Sequence, residues 1–335
     1  MKKQIKDIFN EWNKDRTFSG VFSATGHDSV IFQKAYGYRN RAENLPNELN
    51  TAFAIASGTK FFTALSICKL IDEGRLSLDD RIWDLIPHDL KLIDKRVTVF
   101  HLLTHTSGIG DYIDEEASSE YNDILKLYDN RPVHKWDSLV FYLPMFNQLP
   151  AKFNPGERVS YSNAGFILLG LVIESVSKKT YHQYVEASII LPLNLSHTGF
   201  YRMNNLPCNT ALGYTYDENR KEMVANTLYM PVIGGSDGGI FTCAKDLVLL
   251  WKGILTNRIF SKAMREQLFT PYGRFGLGVY LSVKDGRKTY YTVGGDFGVD
   301  FFSVYSPQTE ITVSALGNTE MNTYPLLQRL LDLLG

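Results

Sequence analysis

The amino-acid pattern predicts an α/β (α+β) fold: an antiparallel sheet flanked by N- and C-terminal helices, with an all-helical domain inserted between the two halves of the sheet. Three observations carry this. Strand-like segments separated by short turns crowd both ends of the chain, helical patterns fill the middle, and the first and last segments are amphipathic at helical spacing. Strands joined by tight turns pair antiparallel. The bounds that follow are 1–60 with 195–335 for the α/β domain and 61–194 for the helical domain, with the active site expected in the cleft between them.

In chain order, Ile5, Ile8, Phe9 and Trp12 fall on one face of a first helix. Phe18 to Ala24 and Ser29 to Tyr36 are rich in β-formers, and Thr25-Gly26-His27-Asp28 between them is turn chemistry, so they read as a hairpin. From Ser57 to Glu73 the pattern is helical, with Phe61, Leu65, Cys68 and Ile71 on one face and Gly74 as a stop. Asn163 to Val176 reads as an apolar helix and Tyr181 to Ile190 as a second. The acidic, polar run Asp111 to Asp123 reads as a surface loop. Strands return at Gly276 to Val283, Lys288 to Val293, Asp300 to Tyr305 and Glu310 to Leu316, with turns such as Asp285-Gly286 and Ser306-Pro307. Pro325 to Leu334 places Leu326, Leu327, Leu330, Leu331 and Leu334 on one helical face, with Asn322 or Thr323 to cap it.

Composition narrows the function. The 335 residues are 44% hydrophobic and 21% charged, as expected of a globular chain with a sizeable core. Lys+Arg (35) nearly balances Asp+Glu (36), which lacks the basic excess of a nucleic-acid binder. Cys68, Cys208 and Cys243 form no C-x-x-C pair, so neither a disulfide framework nor a structural zinc site is expected. The basic residues at the start have no apolar stretch behind them, and Gly165 to Ile173 is too short to span a bilayer, which takes about 20 residues. The expectation is a soluble, cytoplasmic protein with no membrane partner.

Three motifs carry chemistry. Ser57-Gly58-Thr59-Lys60 is an S-x-x-K at a strand-to-helix junction. Spacing i to i+3 sets the hydroxyl and the amine on one helical face, beside free backbone N–H groups. A lysine whose pKa is lowered by burial can take the serine's proton. Alone, the pattern is common by chance, and Ser57 can equally be an N-cap. In Tyr161-Ser162-Asn163, a tyrosine whose pKa is lowered by cations can act as acid or base, and Asn163 can hold a lysine or a substrate amide. The bland alternative is a core tyrosine before a helix cap. Thr292-Val293-Gly294-Gly295 lies on a strand where glycines let a substrate approach the edge, or simply end the strand.

Taken together, these motifs resemble those of the serine β-lactamase and penicillin-binding-protein superfamily, in its class C β-lactamase-like branch of esterases and D-amino-acid peptidases. Ser57 to Lys60 matches its S-x-x-K motif and Tyr161 to Asn163 its Y-x-N motif. Val97 to Gly108, containing His101-Leu102-Leu103-Thr104-His105-Thr106-Ser107-Gly108, and Gly238 to Leu247 match two further segments. The resemblance spans about Phe18 to Asn318 and implies the split fold already read from the strands. It implies a serine hydrolase that forms an acyl-enzyme on Ser57. Lys60 and Tyr161 would handle the proton, and Asn163, Thr292, Gly294 and Gly295 would bind or orient a small ester, amide or peptide-like substrate. No cofactor or metal is implied. One position departs: Thr292 stands where the family's third motif usually begins with lysine or histidine. That loss of a cation, with Asp296 nearby, favours neutral esters or amides over β-lactams and carboxy-terminal peptides.

Other readings compete. Gly234-Gly235-Ser236-Asp237-Gly238 fits the G-x-S-x-G nucleophile elbow, but none of the seven histidines follows Ser236, so it reads as a glycine-rich turn. His101 and His105 have a zinc-compatible spacing but no base between them and no third ligand, so they read as hydrogen-bonding residues at a helix start. A binding or sensor module that keeps the fold without the chemistry is a reading of a different class. The sequence leaves oligomeric state open.

Overall fold

The computed structural model describes residues 1–27, 29–116, 132–228 and 230–335. Asp28 of the first turn, Tyr229 and residues 117–131, which include 117–123 of the acidic run, lie outside the described residues. Six strands form one sheet: β1 (Gly20–Thr25), β2 (Val30–Tyr36), β5 (Tyr280–Lys284), β6 (Arg287–Asp296), β7 (Val299–Ser306) and β8 (Ile311–Gly317). Their spatial order is β2-β1-β8-β7-β6-β5, antiparallel throughout. The two ends of the chain thus share one sheet, with Gly20 opposite Gly317. A short pair, β3 (Phe53–Ala54) and β4 (Phe241–Thr242), carries the chain toward Ser57.

One face of the sheet is covered by α1 (Lys2–Asn13) and α5 (Tyr324–Leu334). Ile5, Phe9 and Trp12 recur at i, i+4 and i+7, so α1 presents one apolar stripe. Phe9 stacks on Phe22 of β1 at 4.2 Å, and five of the six leucines of α5 are buried in the same layer. Truncating such a buried aromatic costs about 3–5 kcal/mol. Thr323 does not cap α5 with its side chain; its hydroxyl instead binds Asp300. The other face packs on α4 (Ala244–Leu255), where Trp251 donates to Ser303 of β7 at 2.9 Å.

Beyond α4 lie α2 (Thr59–Asp72) and α3 (Asn163–Ser177), both buried on nearly every side. A helix apolar all round belongs in an interior. The single apolar face expected for α2 is therefore too narrow, since Phe62, Ala64, Ile67 and Leu70 are buried as well.

Two sequence expectations are corrected. The strand expected from Gly276 begins only at Tyr280, because Gly278 (φ 71°) and the Gly276 N–H to Val279 carbonyl bond fold 276–279 into a tight turn. Asp111 is not a surface residue: it is 8% exposed and accepts from the backbone N–H groups of Asn163 and Ala164, which the first turn of α3 leaves unpaired. Among the described residues, no helix is long and apolar enough to cross a membrane.

Candidate active site

β3 runs into a single 3-10 turn, Ala56–Gly58, that places Ser57 immediately before α2. Ala56 takes a left-handed conformation (φ 43°), an uncommon state for a residue with a Cβ. The turn is fastened from both sides. Thr59 donates to the Ala56 carbonyl at 2.7 Å and accepts from the Ile240 N–H at 3.0 Å, and Ile55 N–H binds the Ile240 carbonyl.

Lys60, one residue into α2, is 4% exposed. Its Nζ lies 2.9 Å from Ser57 Oγ, 2.7 Å from Asn163 Oδ1 and 2.8 Å from the Asp237 carbonyl oxygen. It also sits over the Tyr161 ring, 5.0 Å from the centroid. Burial lowers the Lys60 pKa, opposed by the charges of Asp237, Glu115, Asp111 and Asp296. Tyr161 shares a side-chain hydrogen bond with Ser57, and burial, reinforced by Glu115, raises its pKa well above the ordinary value. The sequence expectation of a phenol made acidic by cations is therefore not met: burial first, and the nearby carboxylates after it, keep the hydroxyl protonated.

Asn163 opens α3, whose first turn is capped by Ser162 and by the Asp111 carboxylate. Its side chain bridges Lys60 and the Ile113 carbonyl. Behind Tyr161 lies His105, ring centroids 4.7 Å apart, with Nδ1 accepting from Ser162 N–H at 3.1 Å. Burial and the nearby cations Lys60 and Arg274 push His105 down to about 3, so it is neutral and acts as a packing partner. His101 instead closes a capping box with Thr98. Among the described residues, no group of three or more His, Cys, Asp or Glu is placed to hold a metal ion.

The C-terminal strands form the opposite wall. Ser57, Tyr161, Asn163, Gly294 and Gly295 all line one cleft of about 1390 Å³. A Cβ on Gly294 would lie 2.0 Å from the Ile55 carbonyl oxygen, so glycine is what lets β6 reach the turn. Gly295 faces open space. Thr292 is not brought to the cleft. It is 6% exposed and shares the strand face of Gly294, directed into the core, and its short side chain stops there.

Several cleft residues carried no sequence motif: Tyr112, Glu115, Arg274 and Tyr280, with Asp237 recognised only as part of a glycine-rich turn and Asp296 only as a negative charge near Thr292. Among the described residues, Arg274 is the lone Lys or Arg in the lining, against carboxylates at Glu115, Asp217, Glu218, Asp237, Asp296, Asp300 and Glu320. Ser236 is fully buried, and its Oγ has no hydrogen-bond partner among the described residues, which removes it as a nucleophile.

Comparisons with known proteins point to one family. The family model described as Beta-lactamase matches residues 5–332. Penicillin-binding protein 4* of Bacillus subtilis (strain 168) is 28% identical over 96% of this chain and 73% of its own length. Protein flp of Staphylococcus aureus (strain N315) is 35% identical over 55% of this chain, which spans only 35% of that protein. The crystal structure of a penicillin binding protein from Bacillus halodurans superposes with a TM-score of 0.90 at 37% identity, covering 98% of this chain and 99% of that one.

Proposed function

The chain belongs to the beta-lactamase family of serine hydrolases, and from that premise we propose that it cleaves an uncharged ester or amide through an acyl-enzyme on Ser57, with esters preferred. The observation that carries the reading is the contact of buried Lys60 Nζ with Ser57 Oγ at 2.9 Å, in a site whose surroundings penalise the charged amine.

Neutral Lys60 takes the Ser57 proton as Oγ attacks the carbonyl carbon. The oxyanion is received by the backbone N–H groups of Ser57 and Gly295, where loss of one donor typically costs about 3 kcal/mol of barrier. Tyr161, kept protonated by burial, gives its proton to the leaving alcohol or amine and recovers one from the Lys60 ammonium. The same groups then deprotonate water to release the acid.

The preference for an uncharged substrate rests on the cleft's charge. Carboxylates dominate the lining, and Thr292 supplies no cation to hold a substrate carboxylate.

The test is hydrolysis of a short-chain p-nitrophenyl ester beside a chromogenic cephalosporin, by wild type and Ser57→Ala. Ester turnover that vanishes in the variant, with little cephalosporin cleavage, is expected. Strong cephalosporin turnover would move the substrate to β-lactams. Ester turnover surviving in Ser57→Ala would refute the acyl-enzyme, and no turnover of either compound by wild type would favour a binding module.

A further inference from the structure

Asp237 stands in the glycine-rich turn that closes the floor of the cleft, and its two ends do different things. The backbone carbonyl accepts from Lys60 Nζ at 2.8 Å. The carboxylate accepts from the hydroxyl of Tyr112, another residue of the cleft lining. The turn itself is pinned to α2, since Thr63 donates to the neighbouring Ser236 carbonyl at 2.6 Å. Holding Lys60 needs only the backbone at 237, which any residue supplies. The carboxylate is an addition particular to the side chain, fixed beside the catalytic amine.

We propose that the Asp237 carboxylate, gripped by Tyr112, is a positioning residue that sets the pH range in which Lys60 can accept the Ser57 proton. Its charge is the leading anionic influence on Lys60 and opposes the effect of burial. Other charged and titratable groups face the amine from each surrounding segment. Asp111 and Glu115 come from one segment, 111–115, that packs against the first turn of α3, Asp296 from the end of β6, and Tyr161 and neutral His105 from the ring stack behind it. Of these, Asp111 is committed to the N-terminus of α3, and only Asp237 also bonds Lys60 directly through its backbone.

The inference rests on the proposed role of Lys60 as proton acceptor, and the experiment separates the two. The pH dependence of kcat/KM is measured with a p-nitrophenyl ester for wild type, Asp237→Asn and Tyr112→Phe, with Ser57→Ala as control. Asparagine keeps the backbone carbonyl and an acceptor for Tyr112 but removes the charge. Losing a nearby opposite charge lets an ammonium deprotonate more readily, so the acid limb moves to lower pH by about one unit. Tyr112→Phe moves it the same way by less, because the lost hydrogen bond favoured the ionised acid. An acid limb unmoved in Asp237→Asn, with activity lowered equally at every pH, overturns the proposal. If that variant does not fold, an unmoved limb in Tyr112→Phe overturns it instead. Turnover that survives in Ser57→Ala defeats the acyl-enzyme reading itself, which is a different failure.

Discussion

Gly294 and Gly295 are chemically identical neighbours that the structure asks to do unlike things, so substituting each by alanine makes a matched experiment. At 294 the new methyl would lie 2.0 Å from the Ile55 carbonyl oxygen and 2.9 Å from the Gly58 nitrogen, both backbone atoms. Ordinary contact begins at 3.4 Å, so β6 and the nucleophile turn must part by about 1.4 Å. That movement carries the Gly295 N–H away from the oxyanion while Ser57 stays with α2. Misplacement by about 1 Å costs on the order of 100-fold in rate, equivalent to about 2.7 kcal/mol of barrier. At 295 no atom lies within 4 Å of the new methyl, and alanine keeps the N–H. The expected result in steady-state ester hydrolysis is a roughly 100-fold fall in kcat for Gly294→Ala and a change of no more than about fivefold for Gly295→Ala. Full activity in Gly294→Ala, or equal damage in both, would refute the argument that the strand's approach positions the oxyanion donor.

Further predictions follow from the same contacts. Lys60→Ala should slow acylation by about 100- to 10,000-fold in a pre-steady-state burst assay while the chain still folds, the usual span for loss of a general base. Ser236→Ala should leave ester turnover and the urea midpoint at wild-type values or slightly higher, since the hydroxyl removed is buried without a partner. Asp111 titrates near pH 6 in the folded protein against 3.8 ordinarily, chiefly through burial. The folded state therefore holds its proton longer than the unfolded one, so this contribution is fully present below about pH 4 and is lost as pH rises through 6. The loss amounts to as much as about 3 kcal/mol. Asp111→Asn should lack that slope when Tm is followed from pH 4 to 7, although its overall Tm falls because one amide oxygen replaces two acceptors. An unchanged slope would contradict the assignment.

Much of this was legible in the sequence because it is written locally. Alternation and paired turn residues mark the strands at each end, and the i to i+3 spacing of Ser57 and Lys60 survives into the structure as a 2.9 Å contact. Tyr161 and Asn163 were found by pattern and arrive at the same amine. What escaped depends on where the chain meets itself. Asp237 lies 177 residues from Lys60, and no local rule marks an acid in a glycine turn as a neighbour of the nucleophile. Asp111 sits in a polar run and looks solvated until the N-terminus of α3 arrives to bury it. Thr292 was placed at the substrate by its motif position, but strand alternation turns it inward, and a side chain that short does not reach back.

The pairing of β1 with β8 has a consequence for how the protein comes into being. Gly20 finds its partner at Gly317, so β1 stays without its neighbour on that side until about 300 further residues have left the ribosome. Meanwhile β1 can pair only with β2, and an isolated hairpin is marginal in water. Closing so long a loop is slow, and an unpaired apolar edge invites association with other chains. Phe9 and Phe22, already stacked within this early segment, give it a local apolar contact through that wait. The intervening helices α2 and α3 pack directly on one another and can collect before the sheet does. Ser57 can then acquire Lys60 early, but it acquires Gly295 only when the last strands dock, so catalytic competence should be among the final events of refolding.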